Sequence, residues 1–475
     1  MDYRDKIEAY IDEHRQEMIN DICALCRINS EKMPYKEGYP FGQGVGDALE
    51  TALSMAEGYG FAIHNYDNYV GTADLNGGES CLDILAHLDV VPAGDGWQVT
   101  EPFAPLEKDG KLYGRGTADD KGPAVAALYA MRAVKELGLP VSKNVRLILG
   151  TDEECGSSDI PHYYAVEKEA PMTFSPDASF PVINTEKGMF RGHFTGEWEK
   201  SDALPRLVSI QAGTKINVVP GKAEAVLMGV EADVMEAAVK EVSDITGTVF
   251  QVEYSDYTDV KGDTVAKVTA VGKGAHAAQP YEGNNALTSL VMLVNRLPLA
   301  ACKQTEMLKK LEECLPHGDV YGKALGIQME DELSGPLTLA FSLLTVTETG
   351  LEGSFDSRCP ICANEENVLQ PAKKKMEAMG FRFLTDHMIP PHHVPGDSHF
   401  VKTLLRTYEA YTGQKGECRS TGGGTYVHDL ENGVAFGASM PETDNHMHGA
   451  DEFAVIEELL TSAKIFAQVM VELCK

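Results

Sequence analysis

The sequence predicts an α/β protein in which a helix-flanked sheet is interrupted by a large inserted α+β domain. Three observations carry that expectation. Strand and helix patterns alternate in the first part of the chain, the texture changes near Gly188, and the first style returns after Pro390 and Pro391. The interrupted domain is expected over 1–187 and 385–475, with the insert over 188–384. A chain of 475 residues suits this division, because single domains usually run about 100–200 residues.

Taken in order, residues 1–30 carry charges throughout while Ile7, Ile11, Met18, Ile22 and Leu25 recur at helical spacing. This predicts an amphipathic helix on a core and not the unbroken apolar stretch of a signal peptide. Residues 82–86 form a short, nearly continuous apolar run, as in a strand buried on both faces of a parallel sheet. Residues 123–137 repeat apolar side chains at helical spacing and end at Gly138, and strands are expected at 145–150 and 172–175. An open sheet of this kind binds ligands beyond the C-terminal ends of its strands. Within the insert, strands are expected at 264–271 and 337–347 and helices at 234–244, 286–296 and 366–379, grouped as two α+β halves. A helix at 397–412, a glycine-rich turn and a closing helix at 454–473 complete the pattern.

Charge narrows the function classes. Lys and Arg number 41 against 72 Asp and Glu, a formal charge of −31. Nucleic acids and anionic membranes both require clustered positive charge, so neither is an expected partner. The apolar run 337–346 is broken by Thr338, Ser342 and Thr345 and falls short of the roughly 20 residues of a membrane span. Ten cysteines without a secretory signal read as free thiols of a reducing cytoplasm.

Five short segments fall at or just after expected strand ends: His87-Leu88-Asp89, Asp119-Asp120-Lys121-Gly122, Asp152-Glu153-Glu154, Ser175-Pro176-Asp177 and His446-Met447-His448. Each alone reads as a turn or a surface pair. Together they would crowd carboxylates whose mutual repulsion and desolvation cost several kcal/mol each, about the scale a divalent cation removes. Imidazole and carboxylate ligands suit zinc, manganese or cobalt, and the absence of a thiolate set argues against a structural zinc. Gly422-Gly423-Gly424-Thr425 lacks the ending of a phosphate-binding P-loop, and Cys359-Pro360-Ile361-Cys362 lacks a thioredoxin-like context.

The segments LAHLDVVPAGDGW (85–97), YGRGTADDKGP (113–123), GTDEECGSSD (150–159), SPDASFP (175–181) and MHGADE (447–452) resemble the M20 family of di-metal peptidases and deacylases, in its dipeptidase branch. The resemblance implies a metallopeptidase domain interrupted by a lid. It implies two divalent ions, one held by His87, Asp119 and Asp177 and the other by Asp119, Glu154 and His448, with Asp119 bridging. Asp89 is expected to orient His87, and Glu153 to act as general base on a metal-bridging water. His448 fits the register better than His446, with Asp451 where the family has Asn. In the insert, His276 is expected to stabilise the oxyanion, Asn217 to contact substrate, and Arg358 to grip a terminal carboxylate, while Gly423 lines the substrate site. An insert of this size would supply His276 within the same chain, so a monomer is expected.

The function so implied is hydrolysis of dipeptides, with zinc as the expected metal and manganese or cobalt as alternatives. Deacylation of N-acyl amino acids, cleavage of a specialised β-alanyl dipeptide, and an inactive binding protein are the other readings. The last is disfavoured because Glu153 is dispensable for mere binding.

Overall fold

The computed structural model describes residues 3–255 and 264–475, and residues 256–263 of the insert lie outside the described residues. The chain divides into two compact units: Met1–Thr185 with His393–Ser420 and Gly424–Lys475, and Glu186–His392 with Thr421–Gly423.

In the first unit, four parallel strands lie side by side in the order Asn144–Gly150, Ser80–His87, Met172–Ser175 and Gly433–Ala435. Antiparallel Val70–Asp74 and Ala62–Tyr66 extend the sheet beyond Asn144–Gly150. Leu82, Ile84, Leu85 and Ala86 are all fully buried, which explains the unbroken apolar run: both faces of this strand are covered. Parallel register sets His87 opposite Gly150, so the chemistry-bearing segments leave the sheet at one end.

Helices Lys121–Glu136 and Ile456–Leu473 pack into the same core through Val125, Leu128, Leu460 and Phe466. Even Lys121 is buried, and its ammonium donates to the carbonyls of Leu25 and Ile28 at 3.1 and 2.8 Å. Those acceptors close the N-terminal region, which is two helices, Arg4–Glu13 and Arg15–Cys26, where one was expected. The break falls at His14, whose φ of −93° and ψ of 10° depart from helix, yet Ile7, Ile11, Met18, Ile22 and Leu25 all reach the core. One non-helical residue leaves the apolar spacing usable, so the pattern could not reveal it.

The second unit is built on one antiparallel sheet of eight strands, in the order Val249–Ser255, Val265–Val271, Lys222–Met228, Arg206–Ala212, Thr338–Val346, Gly350–Cys359, Gly188–Glu197 and Arg382–Phe383. The two expected halves are thus joined edge to edge, through Arg206–Ala212 and Thr338–Val346. Burial alternates along Lys222–Met228, as a sheet covered on one face requires. Helices Ala232–Thr246, Ala286–Arg296 and Lys303–Cys314 supply Met235, Leu290 and Leu308 to the shared core. The helix expected at 366–379 begins with a π-turn, Glu365–Leu369, capped by Asn364, before Gln370–Ala378. Pro371 follows closely on that turn and can donate no backbone hydrogen bond.

Candidate metal centre

His87 ends its strand, Asp119 precedes the buried helix, Glu153 and Glu154 share a 3-10 turn after Asn144–Gly150, and Asp177 follows Met172–Ser175. His448 lies in the segment before strand Phe453–Val455, at a φ of 62°. Two groups result: His87, Asp119 and Asp177, and Asp119, Glu154 and His448, with ligand atoms of each group within 4.8 Å of one another. Asp119 turns one oxygen to each. Its Oδ1 is 3.0 Å from His87 Nε2, and its Oδ2 is 2.9 Å from His448 Nε2. Asp177 Oδ2 stands 3.5 Å from His87 Nε2, and Glu154 Oε2 stands 3.4 Å from His448 Nε2. His446 belongs to neither group and packs edge-on against Phe453.

The residues fit divalent ions on a local argument. His87 Nδ1 faces the main-chain carbonyl of Asp89 at 3.0 Å, an atom that can only accept, so Nδ1 carries the proton of the neutral ring. Nε2 then presents a lone pair to two carboxylates, and although close to both it makes no hydrogen bond; Glu154 Oε1 is likewise buried without a partner. A cation at each group would turn these repulsions into bonds. With no ion, protons take that place. Burial works against a charged His87, but Asp119, Asp177 and Asp89 outweigh it and drive its pKa well above the usual range. Asp119 and Glu154 hold His448 up to about 10. Burial pushes Glu153 up to about 8, with Asp177, Glu154 and Asp119 adding to the rise and His87 opposing it.

Asp89 has a second occupation. Its Oδ1 lies 3.4 Å from His87 Nδ1, farther than its own carbonyl, while its two oxygens accept the backbone N–H groups of Glu153 and Glu154, each at 3.1 Å. The carboxylate therefore fixes the turn that separates those two glutamates. Glu153 itself is a member of neither ligand group.

Other supports were not evident from the sequence. Asp120 Oδ2 accepts the His87 N–H at 3.1 Å, and Asp159 Oδ2 accepts from Thr151 and Asp152 N–H at 2.6 and 3.1 Å and from the Tyr426 hydroxyl at 2.5 Å. Their only signal was the density of acids within the two richest motifs. Tyr426 also explains Gly150, since a Cβ there would stand 1.6 Å from its hydroxyl. Gly150→Ala is expected to cost about 3 kcal/mol, the upper end for overpacking, whereas Gly58→Ala, with open space around it, should change little. Denaturant unfolding of the two variants checks this.

The remaining predicted residues lie in the second unit and assemble there among themselves. Val218–Val219 pairs with Ala275–His276, and Ala277 N–H donates to the Asn217 carbonyl at 2.9 Å, which sets Asn217 beside His276. Ala278 N–H donates to His276 Nδ1 at 3.1 Å, so in the neutral ring the proton sits on Nε2. Burial and the nearby Arg358 lower the His276 pKa, with Asp356 opposing, and so favour that neutral form. Arg358 is buried. Asp356 takes its Nε and Nη2 at 2.9 and 3.0 Å, and its Nη1 donates to the Gly422 carbonyl at 2.9 Å, next to Gly423. The side-on edge of the guanidinium is thus occupied by Asp356, a partner two residues away that sequence reasoning left without a role. Cys359 is buried, Cys362 exposed, and both thiols are free.

Residues 84–472 match the model of "Peptidase family M20/M25/M40". The chain is 35% identical to the Bacillus subtilis (strain 168) protein YtjP over 478 residues, covering 98% of this chain and 99% of that one. It is 34% identical to the Beta-Ala-Xaa dipeptidase of Lactobacillus delbrueckii subsp. lactis, covering 96% of each. Among solved structures, human carnosine dipeptidase 1 aligns over 100% of this chain and 99% of its own with a TM-score of 0.59 and 16% identity. The dipeptidase Dug1p of Saccharomyces cerevisiae aligns over 99% and 98% with a TM-score of 0.58 and 14% identity. At these identities the two structures speak for a shared fold.

Proposed function

Because this chain belongs to peptidase family M20/M25/M40, we propose that it is a metal-dependent dipeptidase acting on short peptides with a free C-terminal carboxylate. The observation that carries the reading is the Asp119 carboxylate, one oxygen toward each of two ligand groups. His87 and Asp177 complete the first group, and Glu154 and His448 the second. Two divalent ions, if held there, would supply Lewis acidity toward the scissile carbonyl and toward a water. The donor set admits zinc, manganese or cobalt, and we take zinc as the resident metal.

Glu153 takes the proton of the attacking water and returns it to the leaving amine. Its exclusion from both ligand groups and the grip of Asp89 on its backbone support that role, because a base must be near the ligands without being one. In the second unit, the Nε2–H of neutral His276 serves as a donor to the oxyanion, and the remaining donors of Arg358 bind the terminal carboxylate. Asn217 and Gly423, beside those two residues, line the peptide. The unit carrying all four is the lid of this reading, and an insert of that size supplies His276 within the same chain, so we take the protein as a monomer. Ten free cysteines suit a reducing cytoplasm, and no helix among the described residues is long and apolar enough to cross a membrane.

The test is an assay of metal-stripped protein, reconstituted with Zn2+, Mn2+ or Co2+, on a free dipeptide, its C-terminal amide, its N-acetylated form and a β-alanyl dipeptide. Turnover is expected only with metal and only where the C-terminal carboxylate is free. Preference for the acetylated substrate would replace this reading with deacylation, and metal binding without turnover on any of the four would leave a binding protein.

A further inference from the structure

Glu452 is fully buried and ends the segment that carries His448. Its Oε1 accepts three backbone N–H groups, from Gly116 and Ala118 at 3.0 Å and from Asp119 at 3.3 Å. Its Oε2 accepts Arg115 Nη1 at 2.5 Å, and its own carbonyl accepts the Gly114 N–H at 2.9 Å. Arg115, also buried, sends Nη2 to the carbonyls of Gly449, Ala93 and Pro92 at 3.2, 3.3 and 3.4 Å. One carboxylate and one guanidinium therefore join the loop that delivers Asp119 to the segment that delivers His448. A buried carboxylate is costly unless its lone pairs are satisfied, and these are satisfied by the backbone just before Asp119.

We infer that Glu452 is a positioning residue: it sets the main chain of Asp119 so that its two oxygens face two ligand groups at once, with Arg115 as counter-charge. The inference rests on the metal-centre reading above and adds to it a residue that touches neither ligand atoms nor substrate. A purely structural Glu452 would support the fold of the metal-free chain and leave the metal affinity of folded protein unchanged.

The experiment is calorimetric titration of metal-stripped protein with Mn2+, comparing wild type, Glu452→Asp, Glu452→Gln and Asp119→Ala. Glu452→Asp keeps the charge but withdraws the carboxylate by one methylene, and it is expected to weaken Mn2+ binding by about 10–100-fold, the scale of partners behind metal ligands. Glu452→Gln keeps the reach and one acceptor oxygen but turns an amide donor toward the Arg115 guanidinium, and is expected to weaken binding as well. Wild-type affinity in Glu452→Asp, with Asp119→Ala impaired, overturns the positioning role alone. Wild-type affinity in Asp119→Ala overturns the metal-centre reading and this inference with it. A larger loss in Glu452→Gln than in Glu452→Asp points to charge and overturns the geometric account. If neither Glu452 variant folds, amide exchange in the wild-type metal-free protein decides: slow exchange at Gly116, Ala118 and Asp119 sustains the clamp, and exchange at the rate of an open loop refutes it.

Discussion

Replacing Glu153 by alanine is expected to lower kcat by about 100-fold or more while both ions stay bound. A loss of that size corresponds to about 2.7 kcal/mol of transition-state stabilisation and is the ordinary contribution of a placed general base. The expectation follows from the split between adjacent glutamates. Glu154 Oε2 faces His448 within a ligand group, whereas Glu153 belongs to none, and Asp89 fixes the backbone of both. Glu154→Ala should therefore lose metal as well as rate. Steady-state kinetics combined with metal analysis separates the two variants. Metal loss in Glu153→Ala, or survival of its activity, would sink the assignment.

Asp119→Ala should abolish measurable turnover and release metal from both groups, leaving a lower stoichiometry than Asp177→Ala, whose side chain serves one group only. Equal loss in the two variants argues against a shared ligand. A second readout needs no metal at all. In the metal-free chain Asp119 is the leading cause of the high His448 pKa, about 10, so Asp119→Ala should bring that value down toward the ordinary one. The sign of the accompanying stability change is fixed. A histidine whose pKa is raised on folding lends its stabilisation fully below its unfolded value, about 6.5, and loses it as pH rises through the folded value. The stability gap between wild type and variant due to this pair should be widest between the unfolded values of about 3.8 and 6.5, close toward pH 10, and shrink again in acid as Asp119 takes a proton. An NMR titration of His448 together with unfolding at several pH values measures both.

The candidate centre was legible in the sequence to the extent that chain neighbours carry it. His87, Asp119, Glu154, Asp177 and His448 stand in compact motifs at strand ends, and parallel register turns those ends to one side of the sheet. What was hidden is held together by distance along the chain. Asp89 accepts from a turn more than sixty residues away, Tyr426 reaches Asp159 across a separation of 267, and Glu452 reaches Gly116 across 336. No local pattern distinguishes such a carboxylate from a solvated one. Asp356 was hidden differently: it alternates with Arg358 on one strand and so shares its face, but only the side-on geometry reveals that it consumes part of the guanidinium. In the secondary structure, the break at His14 and the π-turn before Pro371 escaped notice because neither disturbs the apolar spacing on which a helix is recognised.

The ammonium of Lys121 reaches back to the carbonyls of Leu25 and Ile28, while the stretch matching the family model begins at residue 84. Strands Ala62–Tyr66 and Val70–Asp74, which extend the catalytic sheet, also precede that residue. The boundary of the family model is therefore not a boundary of autonomous folding. A fragment cut to the matched stretch would take from the Lys121 ammonium both of its carbonyl acceptors and bare one edge of the sheet, although every proposed metal ligand would still be encoded in it.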